Sequence, residues 1–164
     1  MRFAPAAAAL SLFLATTASV TSAQQREADP RAAALIEQGD ALLAAGNTQG
    51  AIDSYEAALA VDPGYTPIFI DLAEAARQDG LQGKAIRYYR EALERDPGNF
   101  AAISGEGEAL VEKGALEKAK RNLARLESLC GSSCPETVAL QTTITAGPPA
   151  RLAVDTGENA TASN

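Results

Sequence analysis

The chain has 164 residues, an apolar fraction of 46% and a formal net charge of −7. Trp is absent and aromatic residues make up 5% of the chain, so Ala and Leu must fill most of the core of one domain, which favours closely packed helices. The negative charge disfavours nucleic acid and anionic membranes as partners, because both are bound through excess Lys and Arg. His is also absent, which excludes imidazole-dependent catalysis and His-ligated metal or haem sites, and we expect no metal ion and no cofactor.

The first residues are typical of a secretory signal peptide. Arg2 gives a positive start, residues 3–15 are mostly apolar, and residues 21–23 are small residues at a plausible cleavage point. The apolar run is shorter than the roughly 20 residues that a membrane-spanning helix needs, and it contains Pro5. We therefore expect residues 1–23 to be removed and the mature protein to be exported without membrane insertion, to a bacterial periplasm given the Ala-rich segment.

Start and stop signals divide the rest of the chain into helices. After a loose lead-in, Asp29 and Pro30 form an N-cap followed by Pro at the first helical position, and Thr66 with Pro67 repeats this start. Asp-Pro-Gly at 62–64 and 96–98 ends two helices, because Pro cannot continue the hydrogen-bond ladder. The predicted helices span 30–45, 48–61, 67–79, 82–95, 100–113, 116–129 and 135–144.

One pattern of eight residues occurs twice in the chain with identical internal spacing. Its first copy is Ala51, Ile52, Tyr55, Ala58, Leu59, Asp62, Pro63 and Gly64, and its second is Ala85, Ile86, Tyr89, Ala92, Leu93, Asp96, Pro97 and Gly98. Gly46, Gly80 and Gly114 are separated by the same interval, as are the small residues Gly39, Ala73 and Gly107. We expect the last three to mark the places where the two helices of a pair cross, since small side chains let backbones approach closely.

The 34-residue period, the small residue in each first helix and the Asp-Pro exits resemble the tetratricopeptide repeat. The resemblance implies an all-α, right-handed superhelical solenoid of three helix-turn-helix repeats plus a C-terminal capping helix. The third copy departs from the pattern, with Leu123 in place of the Tyr and Gly131 in place of the Pro. The predicted segments are a signal peptide at 1–23, a lead-in at 24–31, repeats at 32–65, 66–99 and 100–131, a capping helix at 132–145 and a disordered tail at 146–164.

In this family the first helices line a concave groove that binds peptides, and the resemblance assigns seven residues to it. They are Ile36, Asp40, Leu43, Ile70, Glu74, Arg77 and Glu108. Asp40, Glu74 and Glu108 share one repeat position and would form a negative stripe, with Arg77 as the basic exception. Basic residues of the second helices would form an outer rim. Both surfaces could also be ordinary solvated helix faces.

Cys130 and Cys134 are the only cysteines. In an exported protein such a pair forms a disulfide, which here would tie the last repeat helix to the capping helix. Free thiols, a metal ligand pair and a redox-active dithiol are the alternatives, although redox sites usually have C-x-x-C spacing on a strand-helix frame.

Together these features favour a noncatalytic protein-interaction module of the bacterial cell envelope that binds a basic or partly apolar peptide segment. The expected partner is a protein or peptide, with no nucleic acid and no small-molecule substrate, and the chain is not expected to be an enzyme. Two alternatives remain open: a small structural subunit that uses its flank, and a thiol-disulfide redox protein that uses Cys130 and Cys134.

Overall fold

The computed structural model describes residues 26–149, and it contains seven helices within that range and no strand. The helices are α1 (Pro30–Ala44), α2 (Thr48–Val61), α3 (Pro67–Gln78), α4 (Gln82–Arg95), α5 (Phe100–Glu112), α6 (Leu116–Cys130) and α7 (Pro135–Ala146). Their ends lie within one or two residues of the predicted ones. The predicted signal peptide at 1–23 and residues 150–164 of the predicted tail lie outside the described residues. None of the described helices is both long and apolar enough to cross a membrane.

Neighbouring helices stack in chain order, as the all-α solenoid requires. The helices pack as the pairs α1 with α2, α3 with α4, and α5 with α6, and α2 against α3 and α4 against α5 join these pairs. Gly46, Gly80 and Gly114 end the first helix of each pair with φ of 77°, 77° and 81°, a left-handed conformation that favours glycine. Helix α7 packs on both α5 and α6 and covers the last pair. The prediction of an all-α solenoid is confirmed.

The small residues do not all mark the contact that the sequence predicts. A side chain at Gly39 would place its Cβ 2.4 Å from the Tyr55 ring, so α1 and α2 do cross closely there. At Gly107 the neighbour is Leu140 of α7, whose Cδ2 lies 2.6 Å from the same hypothetical atom. The expectation that Gly107 faces its own pair partner, α6, is therefore wrong, and this glycine makes room for the capping helix.

Two details of the helix starts also differ from prediction. The lead-in is not loose between residues 26 and 29, because the Arg26 guanidinium and the Asp29 backbone N–H both donate to the buried Asp62 carboxylate, at 2.8 and 3.0 Å. Asp29 caps α1 as predicted, by accepting from the Arg31 N–H. Thr66, however, makes no capping hydrogen bond with its side chain.

Candidate functional site

The seven predicted groove residues lie on the first helix of each pair: three on α1, three on α3 and one on α5. Asp40 and Glu74 are exposed, and the other five are partly buried. Four of the seven, Ile70, Glu74, Arg77 and Glu108, surround one cavity. Ile36, Asp40 and Leu43 do not reach it. We call the face formed by these residues of α1, α3 and α5 the groove.

The amino-terminal half of the groove holds three carboxylates around Tyr55, which we call the acidic group: Asp40, Asp71 and Glu74. The Tyr55 hydroxyl donates to Asp40 Oδ1 at 2.6 Å. Burial raises the pKa of Asp71 to about 7, and the charges of Asp40 and Glu74 act in the same direction. Within residues 26–149 none of the three forms an ion pair. The acidic group is therefore a negative surface without a cation among the described residues, and Asp71 adds its full charge only above about pH 7.

Asp71 was missed by sequence reasoning, which selected acids by their shared repeat position. The equivalent positions in the preceding and following repeats are Glu37 and Gly105, so no acid repeated through all three copies drew attention to it. The available signal was local, because Asp71 lies three residues before Glu74 on the same helix, and residues at this spacing share a helix face.

The carboxy-terminal half of the groove holds an ion-paired group of Arg77, Glu108 and Glu112, in which one cation offsets part of the charge of two carboxylates. Arg77 Nη1 lies 2.5 Å from Glu108 Oε2 and 3.1 Å from Glu112 Oε1. Burial alone would lower the pKa of the Arg77 guanidinium, but the neighbouring negative charges, with Glu108 first among them, outweigh it and the pKa is raised. Glu108 thus does not continue a uniform negative stripe from Asp40 and Glu74, because its carboxylate forms an ion pair with Arg77.

A cavity of about 310 Å³ opens between α3, α5 and α7. Its apolar wall consists of Ile70, Ala101, Pro135 and Ala139, and its carboxylates are Glu74, Glu108 and Glu136. Tyr89 and Gly105 also line it, and a Cβ at Gly105 would lie 2.3 Å from the Tyr89 ring. The Tyr89 ring therefore occupies the space that a side chain at position 105 would need, and glycine allows this close packing.

The cysteine pair lies at the edge of this cavity. The two sulfur atoms of Cys130 and Cys134 are at bonding distance and their Cα atoms are 5.7 Å apart, in agreement with the predicted disulfide. Glu136 lies within 4.8 Å of both sulfurs, but bonded sulfurs offer no thiolate to a metal ion. Cys134 immediately precedes Pro135, so the disulfide holds the start of the helix that forms one cavity wall.

The predicted basic rim consists of Lys84, Arg87, Arg90, Lys118, Lys120, Arg121 and Arg125. Several of these charges have partners in the structure. Lys84 pairs with Glu56 at 3.1 Å, Arg90 with Glu106 at 2.7 Å, and Lys120 with Glu117 at 2.8 Å. The rim is less positive than its sequence alone indicates.

Comparisons with known proteins agree with this architecture. Two family models, both described as tetratricopeptide repeat, match residues 32–65 and 76–128, together just over half of the chain. No curated protein sequence matches the chain.

Similar solved structures include the Sgt2 TPR domain from Aspergillus fumigatus, with a TM-score of 0.65 and 24% identity over 84% of this chain and 89% of that one. The first TPR of Spaghetti (RPAP3) bound to the HSP90 peptide SRMEEVD has a TM-score of 0.64 and 24% identity, covering 73% of this chain and 95% of that one. The Yersinia enterocolitica type III secretion chaperone SycD, in complex with a peptide of the translocator YopD, has a TM-score of 0.60 and 21% identity over 70% and 86%.

Proposed function

The chain belongs to the tetratricopeptide repeat family, and from that premise we propose that it is a noncatalytic interaction module whose groove binds a basic, partly apolar peptide segment of another protein. Two of the similar structures were determined with bound peptides, one from HSP90 and one from YopD. The HSP90 peptide SRMEEVD is rich in acidic residues. The acidic group on this chain instead favours a basic ligand, opposite in charge to that peptide.

The acidic group is the observation that carries this proposal. Three carboxyl groups without an ion pair in the described part of the chain lie together, where burial raises the pKa of Asp71 and the charges of Asp40 and Glu74 raise it further. A cationic ligand would relieve this repulsion. The partly buried apolar residues Ile36, Leu43 and Ile70 are near enough in sequence to the acids, one helical turn away, to add apolar contact.

The proposed location is the bacterial cell envelope, after export and cleavage at residue 23. The signal-like start supports export, and the disulfide supports an oxidising compartment, where such bonds persist. Intact-mass measurement of exported material should give the mass of residues 24–164. A mass that includes residues 1–23 would contradict the proposed location.

The binding proposal is tested by panning a random dodecapeptide phage library against residues 24–164, which include every described helix. Enriched peptides should be rich in Lys and Arg, with apolar residues interspersed. Each exposed ion pair contributes at most about 1 kcal/mol, so binding should be modest and should weaken as salt is added.

The decisive variant removes the acidic group with little change of shape: Asp40→Asn, Asp71→Asn and Glu74→Gln together. It should lose the enriched peptides. The matched control, Asp53→Asn with Glu94→Gln and Glu127→Gln, removes three exposed charges from the second helices and should keep them. Equal loss in both variants would show that only net charge matters, and loss in neither would favour a structural subunit that uses its flank.

A further inference from the structure

We propose that the cavity between α3, α5 and α7 is an anchor pocket for one lysine or arginine side chain of the bound peptide. The inference rests on the proposed function, and it assigns a separate site to one residue of the ligand. The cavity volume, about 310 Å³, is at the lower end of the roughly 300–1,000 Å³ range for small-molecule sites. That size suits a single long side chain.

One wall of the cavity carries an unused hydrogen-bonding group. Tyr89 is 3% exposed, and its hydroxyl lies at the cavity against Gly105. Within residues 26–149 this hydroxyl makes no hydrogen bond, whereas the equivalent hydroxyl of Tyr55 donates to Asp40. The hydroxyl is therefore left to solvent, and a ligand head group that hydrogen-bonds to it would take the place of water.

Most of the other charged groups at the cavity are acidic. Glu74 and Glu136 form no ion pair with any described residue, and both face the cavity. Among the described residues of the lining, Arg77 is the one cation, and it is already paired with Glu108 and Glu112. The cavity therefore offers acceptors and negative charge, which match the donor-only head groups of Lys and Arg.

The cavity also has an apolar wall. Ile70 lies on α3, Ala101 on α5, and Pro135 and Ala139 on α7, so the apolar surface comes from all three helices. Lys and Arg bury their aliphatic stems along apolar surface while the charged head stays near polar groups. A short basic side chain would leave the apolar wall uncovered, and a purely apolar side chain would leave the carboxylates without a cation.

The test titrates the ¹⁵N-labelled chain, residues 24–164, with Nα-acetyl-lysine amide and with Nα-acetyl-norleucine amide, which keeps the aliphatic stem without the charge. The lysine probe should shift the amide signals of Ser104, Gly105 and Ala139 saturably, and it should bind at least about fivefold more tightly than the norleucine probe, a difference near 1 kcal/mol. Equal binding of the two probes, or no shift at these amides, would overturn the proposal.

Two variants separate the pocket from the rest of the surface. Ala139→Phe places a ring in the cavity from an exposed position and should abolish the shifts, whereas Val138→Phe, at the adjacent residue of α7 outside the lining, should preserve them. Tyr89→Phe should weaken the lysine probe and leave the norleucine probe unchanged. Loss of lysine binding in the Val138 control, or full binding in the Ala139 variant, would contradict the assignment.

The outcomes also distinguish this pocket from the proposed function. Lysine binding at Gly105 without any enriched library peptide would keep the pocket and refute peptide capture. Enriched peptides that leave the Gly105 amide signal unmoved would keep peptide capture and refute the pocket.

Discussion

The groove beside Tyr55 and the groove beside Tyr89 are built from the same repeat positions but differ in charge and hydrogen bonding. Tyr55 has Asp40 from its own pair as an acceptor and Asp71 from the next pair close by. Tyr89 has Glu74 and Gly105 in the corresponding places. The hydroxyl is satisfied at the first site, and the second site is a cavity.

Two single positions account for this difference. Where the second repeat has Asp71, the third has Gly105, so no carboxylate stands there and the Tyr89 ring packs directly against the glycine. Arg77 stands where the neighbouring repeats have Leu43 and Val111, and it pairs with Glu108 and Glu112 in the carboxy-terminal half. The repeat pattern therefore specifies the backbone and the helix packing, while individual departures from it specify the chemistry of each groove segment.

The largest expected effect comes from breaking the ion-paired group. Arg77→Met should lower the free energy of unfolding by about 3 kcal/mol, because it leaves Glu108 and Glu112, which are 17% and 24% exposed, without their cation. Urea denaturation measures this loss. Adding Glu108→Gln to Arg77→Met should recover part of it. Glu74→Gln, in the acidic group, should cause no loss, and a destabilisation equal to that of Arg77→Met would contradict the distinction between the two halves.

Most of the fold could be predicted from the sequence because its signals are local. Gly46, Gly80 and Gly114 must end helices where φ is positive, and the Asp-Pro-Gly turns must interrupt the hydrogen-bond ladder. Apolar spacing then sets the buried faces. The exceptions, such as the pinned lead-in at Arg26 and Asp29, depend on contacts with Asp62, which is distant along the chain at sequence separations of 36 and 33.

The candidate site was less predictable for the same reason. Repeat position selects Glu74 and Glu108, but it does not show that Arg77 reaches Glu108, 31 residues later, and Glu112, 35 residues later. It also cannot show that α7 supplies a cavity wall, because the capping helix has no counterpart in the repeat. The pKa shift of Asp71 could not be read from the sequence, because it arises from burial in the folded chain and from the charges of Asp40 on α1 and Glu74 on α3.

The disulfide distinguishes the two halves of the groove, because it holds the start of α7, which forms a wall only on the cavity side. Replacing Cys130 and Cys134 with Ser should lower the free energy of unfolding by about 2 kcal/mol or less, since a small closed loop gains little from the bond. Thermal unfolding with and without a dithiol reductant measures the same quantity on the natural chain. The Ser variant itself should not respond to the reductant, and a clearly larger loss of stability would show that the bond supports more than α7.

The next effect concerns the acidic group and depends on pH. Asp71 has a folded-state pKa of about 7 against an ordinary value of 3.8, so between these values the folded chain holds a proton that the unfolded chain releases. Stability from this group is present below pH 3.8 and is lost as the pH rises toward 7. Asp71→Asn should therefore stabilise the chain at pH 8.

The full pKa shift of Asp71 would correspond to about 4 kcal/mol, and solvent screening in the open groove reduces the expected gain to about 1.5 kcal/mol. Urea denaturation at pH 4 and pH 8 measures it, with Glu94→Gln on the outer surface as the matched control. A gain at pH 4 equal to that at pH 8 would contradict the role of the Asp71 charge. A basic peptide should bind the natural chain more tightly at pH 8 than at pH 6, because Asp71 is then ionised.

The smallest effect compares the two tyrosines directly. Tyr55→Phe removes the hydroxyl that donates to Asp40 at 2.6 Å, and it should lower the free energy of unfolding by about 1 kcal/mol, because Asp40 is exposed and water replaces the lost donor in part. Tyr89→Phe removes a hydroxyl that bonds to no residue in the described range, so it should change stability by less than about 0.3 kcal/mol. Both substitutions keep the ring and its packing, against Gly39 and Gly105 respectively, so each variant controls for the other. Urea denaturation of the pair at one pH measures the difference. Equal losses would mean that the Tyr89 hydroxyl is as well bonded as that of Tyr55, which would remove the unused hydroxyl on which the anchor pocket depends.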